Sequence, residues 1–215
     1  GGKINMLEVY LFINPISETC YQTEKKIIKL LAQAQNKIRF RVLPLLTLST
    51  VSFAMQHVGV SNSIEHQVVD TLYKASLDYE AALFQGQKRG RNFLLNVQEC
   101  TLRNNFKYTD EMVEKVAFKS HLDWELFKED RQSDLAVKTF KKDQRIAAEM
   151  QITTYPEVVV TNTDFPDYAF SLNPQESFDI LQKFILHPQD SVLCPNNHTQ
   201  YLHSAKLSKP QKTVK

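Results

Sequence analysis

Residues 7–13, LEVYLFI, form a dense run of β-branched and aromatic positions that Asn14-Pro15 stops. A run this short, closed by turn residues, predicts a buried strand. The period then changes. Cys20, Ile27, Leu31 and Ala34 recur at intervals of seven, four and three, which is one face of a helix. Ser17 stands at its expected N-cap, and Glu18 lies near the positive end of the helix dipole. Residues 38–43, IRFRVL, alternate apolar and charged positions and predict a second strand. Arg39 and Arg41 mark a solvated side or a sheet edge.

From about residue 63 the pattern is helical for a long way. Ile64, Val68, Leu72, Ala75, Tyr79 and Ala82 step by three and four and stop before Gly86. Phe93, Val97 and Cys100 share a face over residues 90–101. Thr109 caps a short helix bearing Met112, Val113 and Val116, and residues 122–127 predict another. Ser133 starts a longer helix reaching Met150, with Ala136, Phe140 and Ala147 on one side. Strand signals return at 157–161, EVVVT. A turn with Pro166 follows, then a hairpin partner at 168–172, YAFSL. Asn173, Pro174 and Glu176 fit the N-cap, N1 and N3 positions of a last helix with Phe178, Leu181, Phe184 and Ile185 inward. Beyond Pro188 the tail is polar and is expected to be mobile.

The order is β-α-β, a block of about five helices, then β-β-α. This predicts an α/β chain with a thioredoxin-like fold and an inserted all-helical domain. Residues 6–62 and 152–187 make the thioredoxin-like domain with a four-stranded sheet. Residues 63–151 make the insert, and residues 188–215 a flexible tail.

Composition narrows the chemistry. Apolar residues are 42% and charged residues 23%, an ordinary globular balance, and a net charge of +2 does not announce a nucleic-acid binder. Away from the N-terminus the only glycines are Gly59, Gly86 and Gly90, too few and too scattered for a phosphate-cradling loop. The three cysteines, Cys20, Cys100 and Cys194, are odd in number, widely spaced and free of any C-x-x-C, which argues against a secreted disulfide framework. No charged segment leads into an apolar core at the start, and no apolar run approaches a membrane span, so the expected compartment is the reducing cytosol.

Two motifs carry the candidate site. Tyr155-Pro156, directly before the 157–161 strand, lies where thioredoxin folds place a cis-proline. X-Pro bonds are the ones that take the cis form at low cost. Asn14-Pro15-Ile16-Ser17-Glu18-Thr19-Cys20 joins the first strand to the first helix, where such folds carry C-x-x-C at a helix N-terminus. Here the frame reads S-x-x-C: Ser17 takes the place of the nucleophile and Cys20 that of the resolving thiol. In the tail, Cys194, His198 and His203 have ligand-like spacing, but a fourth zinc ligand is not in view. The basic run Lys88-Arg89-Gly90-Arg91 reads as a solvated loop between helices.

With these motifs the chain resembles the DsbA-like thioredoxin-fold family, and within it the cytosolic branch of Spx/ClpXP adaptors. The likeness spans roughly residues 6–187. It rests on LEVYLFINPISETC, on residues 85–94 (QGQKRGRNFL) with Gln98-Glu99, on Phe127-Lys128-Glu129-Asp130 with Ser133-Asp134, and on Tyr155-Pro156. The resemblance implies a non-enzymatic adaptor with a degenerate redox site at Ser17, Cys20 and Pro156. It implies that the chain binds the stress regulator Spx and promotes its degradation by ClpXP, with no cofactor, metal, nucleic acid or membrane involved. The backbone of Thr154 and Tyr155 beside Pro156 would pair with an extended peptide. Two enzymatic alternatives stay open: a thiol-disulfide oxidoreductase working through Cys20, and a glutathione-dependent enzyme of kappa-class type using the Ser17 hydroxyl.

Overall fold

Strand β1, Leu7–Ile13, forms from the apolar run, and the turn residues Asn14-Pro15 end it as expected. The computed structural model describes residues 6–47, 62–103, 107–163, 169–188 and 206–207. Expectations placed on Gly59, Pro166, Cys194, His198 and His203 lie outside the described residues.

After β1 come helix α1 (Glu18–Leu31) and strand β2 (Ile38–Pro44). Among the described residues five helices follow: α2 (Asn62–Phe84), α3 (Gln87–Arg103), α4 (Asp110–Lys119), α5 (Trp124–Asp130) and α6 (Asp134–Glu149). The chain then runs through β3 (Glu157–Asn162), β4 (Ala169–Leu172), α7 (Phe178–Leu186) and β5 (Lys206–Leu207). The fold is thioredoxin-like α/β, and among the described residues of 63–150 none is in a strand.

The chain divides into two units: residues 1–12, 22–43 and 148–215, and residues 13–21 and 44–147. In the first, the sheet runs in the order β2-β1-β3-β4-β5. β1 and β3 are antiparallel, with Val9 opposite Val160 and Leu11 opposite Val158, and β3 and β4 are antiparallel with Val160 opposite Phe170. Leu7, Val9 and Leu11 on β1 are buried in alternation with the half-buried Glu8 and Tyr10, whereas Val158 to Val160 on β3 form a continuous buried apolar run. The Phe170 and Phe184 rings pack with centroids 5.2 Å apart, which seats α7 on β4. β2 is an edge strand, and its Arg39 pairs with Glu8 at 2.6 Å. Charged residues on an edge discourage further strand pairing.

A four-stranded sheet is expected from the sequence, and the described residues form five strands, because Lys206 and Leu207 from the tail pair with Ser171 and Phe170. The open backbone groups on the outer side of β4 provide the template. The last helix begins at Phe178 with Ser177 as N-cap, and not after Asn173. The Asn173 side chain accepts from the Gln175 N–H at 2.9 Å, and its carbonyl accepts from Glu176 and Ser177. The Asn-Pro box thus closes a turn of its own, and Ser177 at φ −131° breaks it from α7.

In the helical unit the core is Ala75, Ala82, Phe93, Val97, Val113, Val116, Phe127 and Ala136, all buried. Trp124 is half-buried at its margin, as expected of a core aromatic with a polar tip. Gly86, at φ +112°, ends α2 in the left-handed region that favours glycine. Gly90 is buried against Leu83: an added Cβ would sit 2.6 Å from the Leu83 Cδ2. The run Lys88 to Arg91 is therefore the first turns of α3 and not a loop between helices. An ionic cluster centred on the buried Asp78 ties three helices together. Arg131 donates from Nε and Nη2 to the two oxygens of Asp78, both at 2.8 Å, and from Nη1 to Asp110 at 2.9 Å. The Tyr108 hydroxyl donates to Asp78 at 2.6 Å.

Candidate functional site

The S-x-x-C segment is built from the turn that ends β1. The Asn14 side chain accepts from the Ile16 N–H at 2.9 Å, closing an Asx turn, and the Asn14 carbonyl accepts from the Ser17 N–H at 3.2 Å. This turn aims the chain into α1. The Ser17 hydroxyl accepts from the Cys20 N–H at 3.4 Å, and the Ser17 carbonyl accepts from the Tyr21 N–H at 3.0 Å. Ser17 is thus the N-cap expected from its residue type. Glu18 in the first turn matches the helix dipole.

Cys20 lies one turn in and is fully buried, with its sulfur accepting from the Asn14 backbone N–H at 3.3 Å. Disulfide exchange requires a thiolate that an incoming disulfide can reach in line. At Cys20 the sulfur points inward and is already engaged, and the neighbouring position offers a hydroxyl. Cys100, the other free cysteine among the described residues, lies on α3 and is half-buried. The glutathione alternative needs the Ser17 hydroxyl for a ligand thiolate. That hydroxyl is half-exposed and caps α1.

The second candidate segment belongs to the sheet unit. The Tyr155–Pro156 peptide bond is cis. Thr153 and Thr154 are exposed, Tyr155 is half-buried and Pro156 is buried. Sequence reasoning missed the residue that holds this segment. Glu157, at the start of β3, accepts from the Thr154 hydroxyl at 2.6 Å through one oxygen and from the Ser171 hydroxyl on β4 through the other. A carboxylate that takes two hydroxyl donors fixes both. The local part of this clamp had a signal in T-x-x-E at 154–157. The part that depends on Ser171, fourteen residues away across a hairpin, had none.

Ser17 and Cys20 come together within the helical unit. Thr154, Tyr155 and Pro156 come together within the sheet unit. Among the described residues no group of three His, Cys, Asp or Glu side chains is placed to hold a metal ion. No helix among them is long and apolar enough to cross a membrane.

A family model described as Thioredoxin matches residues 10–183. A protein from Bacillus subtilis (strain 168), "ClpXP adapter protein SpxH", is 28% identical over 204 residues, covering 86% of this chain and 68% of that protein. Among solved structures, a crystal structure from Nitrosomonas europaea superposes with a TM-score of 0.59 at 13% identity, covering 83% of this chain and 98% of that one. The oxidoreductase NmDsbA1 from N. meningitidis gives a TM-score of 0.53 at 12% identity, covering 89% of each chain. These likenesses give the fold, which is that of the DsbA-like proteins.

Proposed function

We propose that this chain, which belongs to the thioredoxin family, works as a protein-binding adaptor and not as a thiol-disulfide enzyme. Its similarity to the B. subtilis ClpXP adapter over most of its length favours Spx as the bound protein and ClpXP as the destination, in the cytoplasm. The observation that carries the reading is at the S-x-x-C frame: a capping hydroxyl stands in the nucleophile position, and the remaining sulfur is fully buried. Such a frame keeps the helix geometry of a redox site without a thiol at its surface.

Binding would use the segment before β3. Thr153 and Thr154 are exposed, and Tyr155 adds an aromatic surface that is half-covered. An extended segment of the partner laid along these residues would gain main-chain hydrogen bonds by strand addition, with Tyr155 as the anchor. Glu157 would keep Thr154 in place by its hydroxyl contact.

Titration calorimetry with purified Spx tests this. The wild-type chain should bind directly without added glutathione. Tyr155→Ala should weaken binding by about tenfold or more, as truncation of an aromatic anchor does. Ser17→Ala should bind as wild type. Glutathione binding that disappears in Ser17→Ala, with no affinity for Spx, would replace the adaptor by the glutathione-dependent enzyme.

A further inference from the structure

Helix α6 differs from the other helices of its unit in how it handles charge. α2, α3, α4 and α5 each hold at least one cation against a carboxylate: Lys74 on Asp70, Arg103 on Glu99, Lys115 on Glu111 and Lys128 on Glu125. On α6 the exposed face carries Lys138, Lys141, Lys142 and Arg145, and none of the four has an ion pair among the described residues. The acidic residues at its two ends, Asp134 and Glu149, do not close one with them. The intervals of three, one and three place the four cations on one side of the helix, spread over roughly 10 Å of axis.

The opposite side fixes which way this face looks. Ala136, Phe140, Asp143 and Ala147 are buried. Gln144 donates to the Pro44 carbonyl at 2.7 Å and accepts from the Leu46 N–H at 3.0 Å, so α6 cannot roll about its axis without breaking both bonds. At the head of the cationic face Leu135 is 56% exposed, among the most exposed large apolar side chains of the described residues. Four unpaired cations close together repel one another and gain from an opposing row of carboxylates. The exposed leucine discriminates between anionic partners: a phosphate backbone offers it nothing to pack on, whereas an amphipathic protein segment does.

We propose that the outer face of α6 is a docking surface for an acidic amphipathic helix of a protein partner. Its carboxylates, at helical spacing, would lie against Lys138, Lys141, Lys142 and Arg145, with an apolar side chain against Leu135. The proposal does not depend on the role of the Tyr155 segment.

The test uses the full chain and fluorescence anisotropy. The probe is a labelled helical peptide with glutamates at i, i+3, i+4 and i+7 and leucines one turn before them. Controls are the same peptide with glutamine for glutamate and a labelled DNA duplex. The glutamate peptide should bind saturably at low salt and weaken as salt rises. Lys138→Glu with Lys142→Glu should weaken it by about tenfold or more, and Leu135→Ala by a few-fold. Lys141→Gln with Arg145→Gln gives a second pair without charge reversal, and circular dichroism checks that each variant is folded. Absence of saturable binding, equal binding of the glutamine peptide, tighter binding of the duplex, or indifference of both charge variants would each overturn the proposal.

Discussion

Ser17 presents a hydroxyl at the start of α1, and the sulfur of Cys20, one turn into the helix, is buried and accepts from Asn14. An insulin-reduction assay should therefore show no turnover above background, since an exchange cycle needs two reachable thiols. Turnover abolished by Cys20→Ser would instead place the chain among the thiol-disulfide enzymes. Ser17 still has a structural role: Ser17→Ala removes the N-cap and should lower stability by about 1 kcal/mol in urea denaturation. This part of the site was legible because capping is local and depends on residue type. Asn14 and Glu157 were not, since their partners, the Cys20 sulfur and the Ser171 hydroxyl, are set by the turn and by hairpin register.

The helices of the insert were readable from apolar spacing alone, but the way α2 meets α3 was not. Gly90 sits where a Cβ would come 3.0 Å from the Leu83 Cα and closer still to its side chain, so the two helices approach through a glycine. Gly90→Ala should destabilise the chain by about 1–3 kcal/mol, the cost of forcing an extra group into a packed contact, and thermal unfolding reads it directly. An unchanged unfolding midpoint would mean that Leu83 shifts aside freely. The start of α7 was misread for a related reason. Asn-Pro-x-Glu is a good helix opening by residue type, yet the Asn173 side chain and carbonyl close a separate turn first. The short β5 was invisible because a two-residue strand has no period to detect, and the edge of β4 that it fills exists only once the sheet is built.

For the whole molecule, the cluster around the buried Asp78 gives stability a dependence on pH. Burial pushes the Tyr108 hydroxyl well above its ordinary value of 10.0, and the Asp78 carboxylate beside it acts in the same direction. The folded chain therefore holds this proton more tightly than the unfolded chain does. The stabilisation is complete below about pH 10 and is lost as pH rises from there through the raised folded value. Urea midpoints should fall across that range, and Tyr108→Phe should make the fall shallower while lowering stability at neutral pH through loss of the bond to Asp78.

The adaptor reading concerns the assembled system, so its most direct measurement is the lifetime of purified Spx in the presence of ClpXP and ATP, with and without this chain. The chain should shorten that lifetime in a concentration-dependent way, Ser17→Ala should do so equally well, and Tyr155→Ala should lose most of the effect. A lifetime unaffected by the wild-type chain at concentrations that saturate ClpXP would contradict the account.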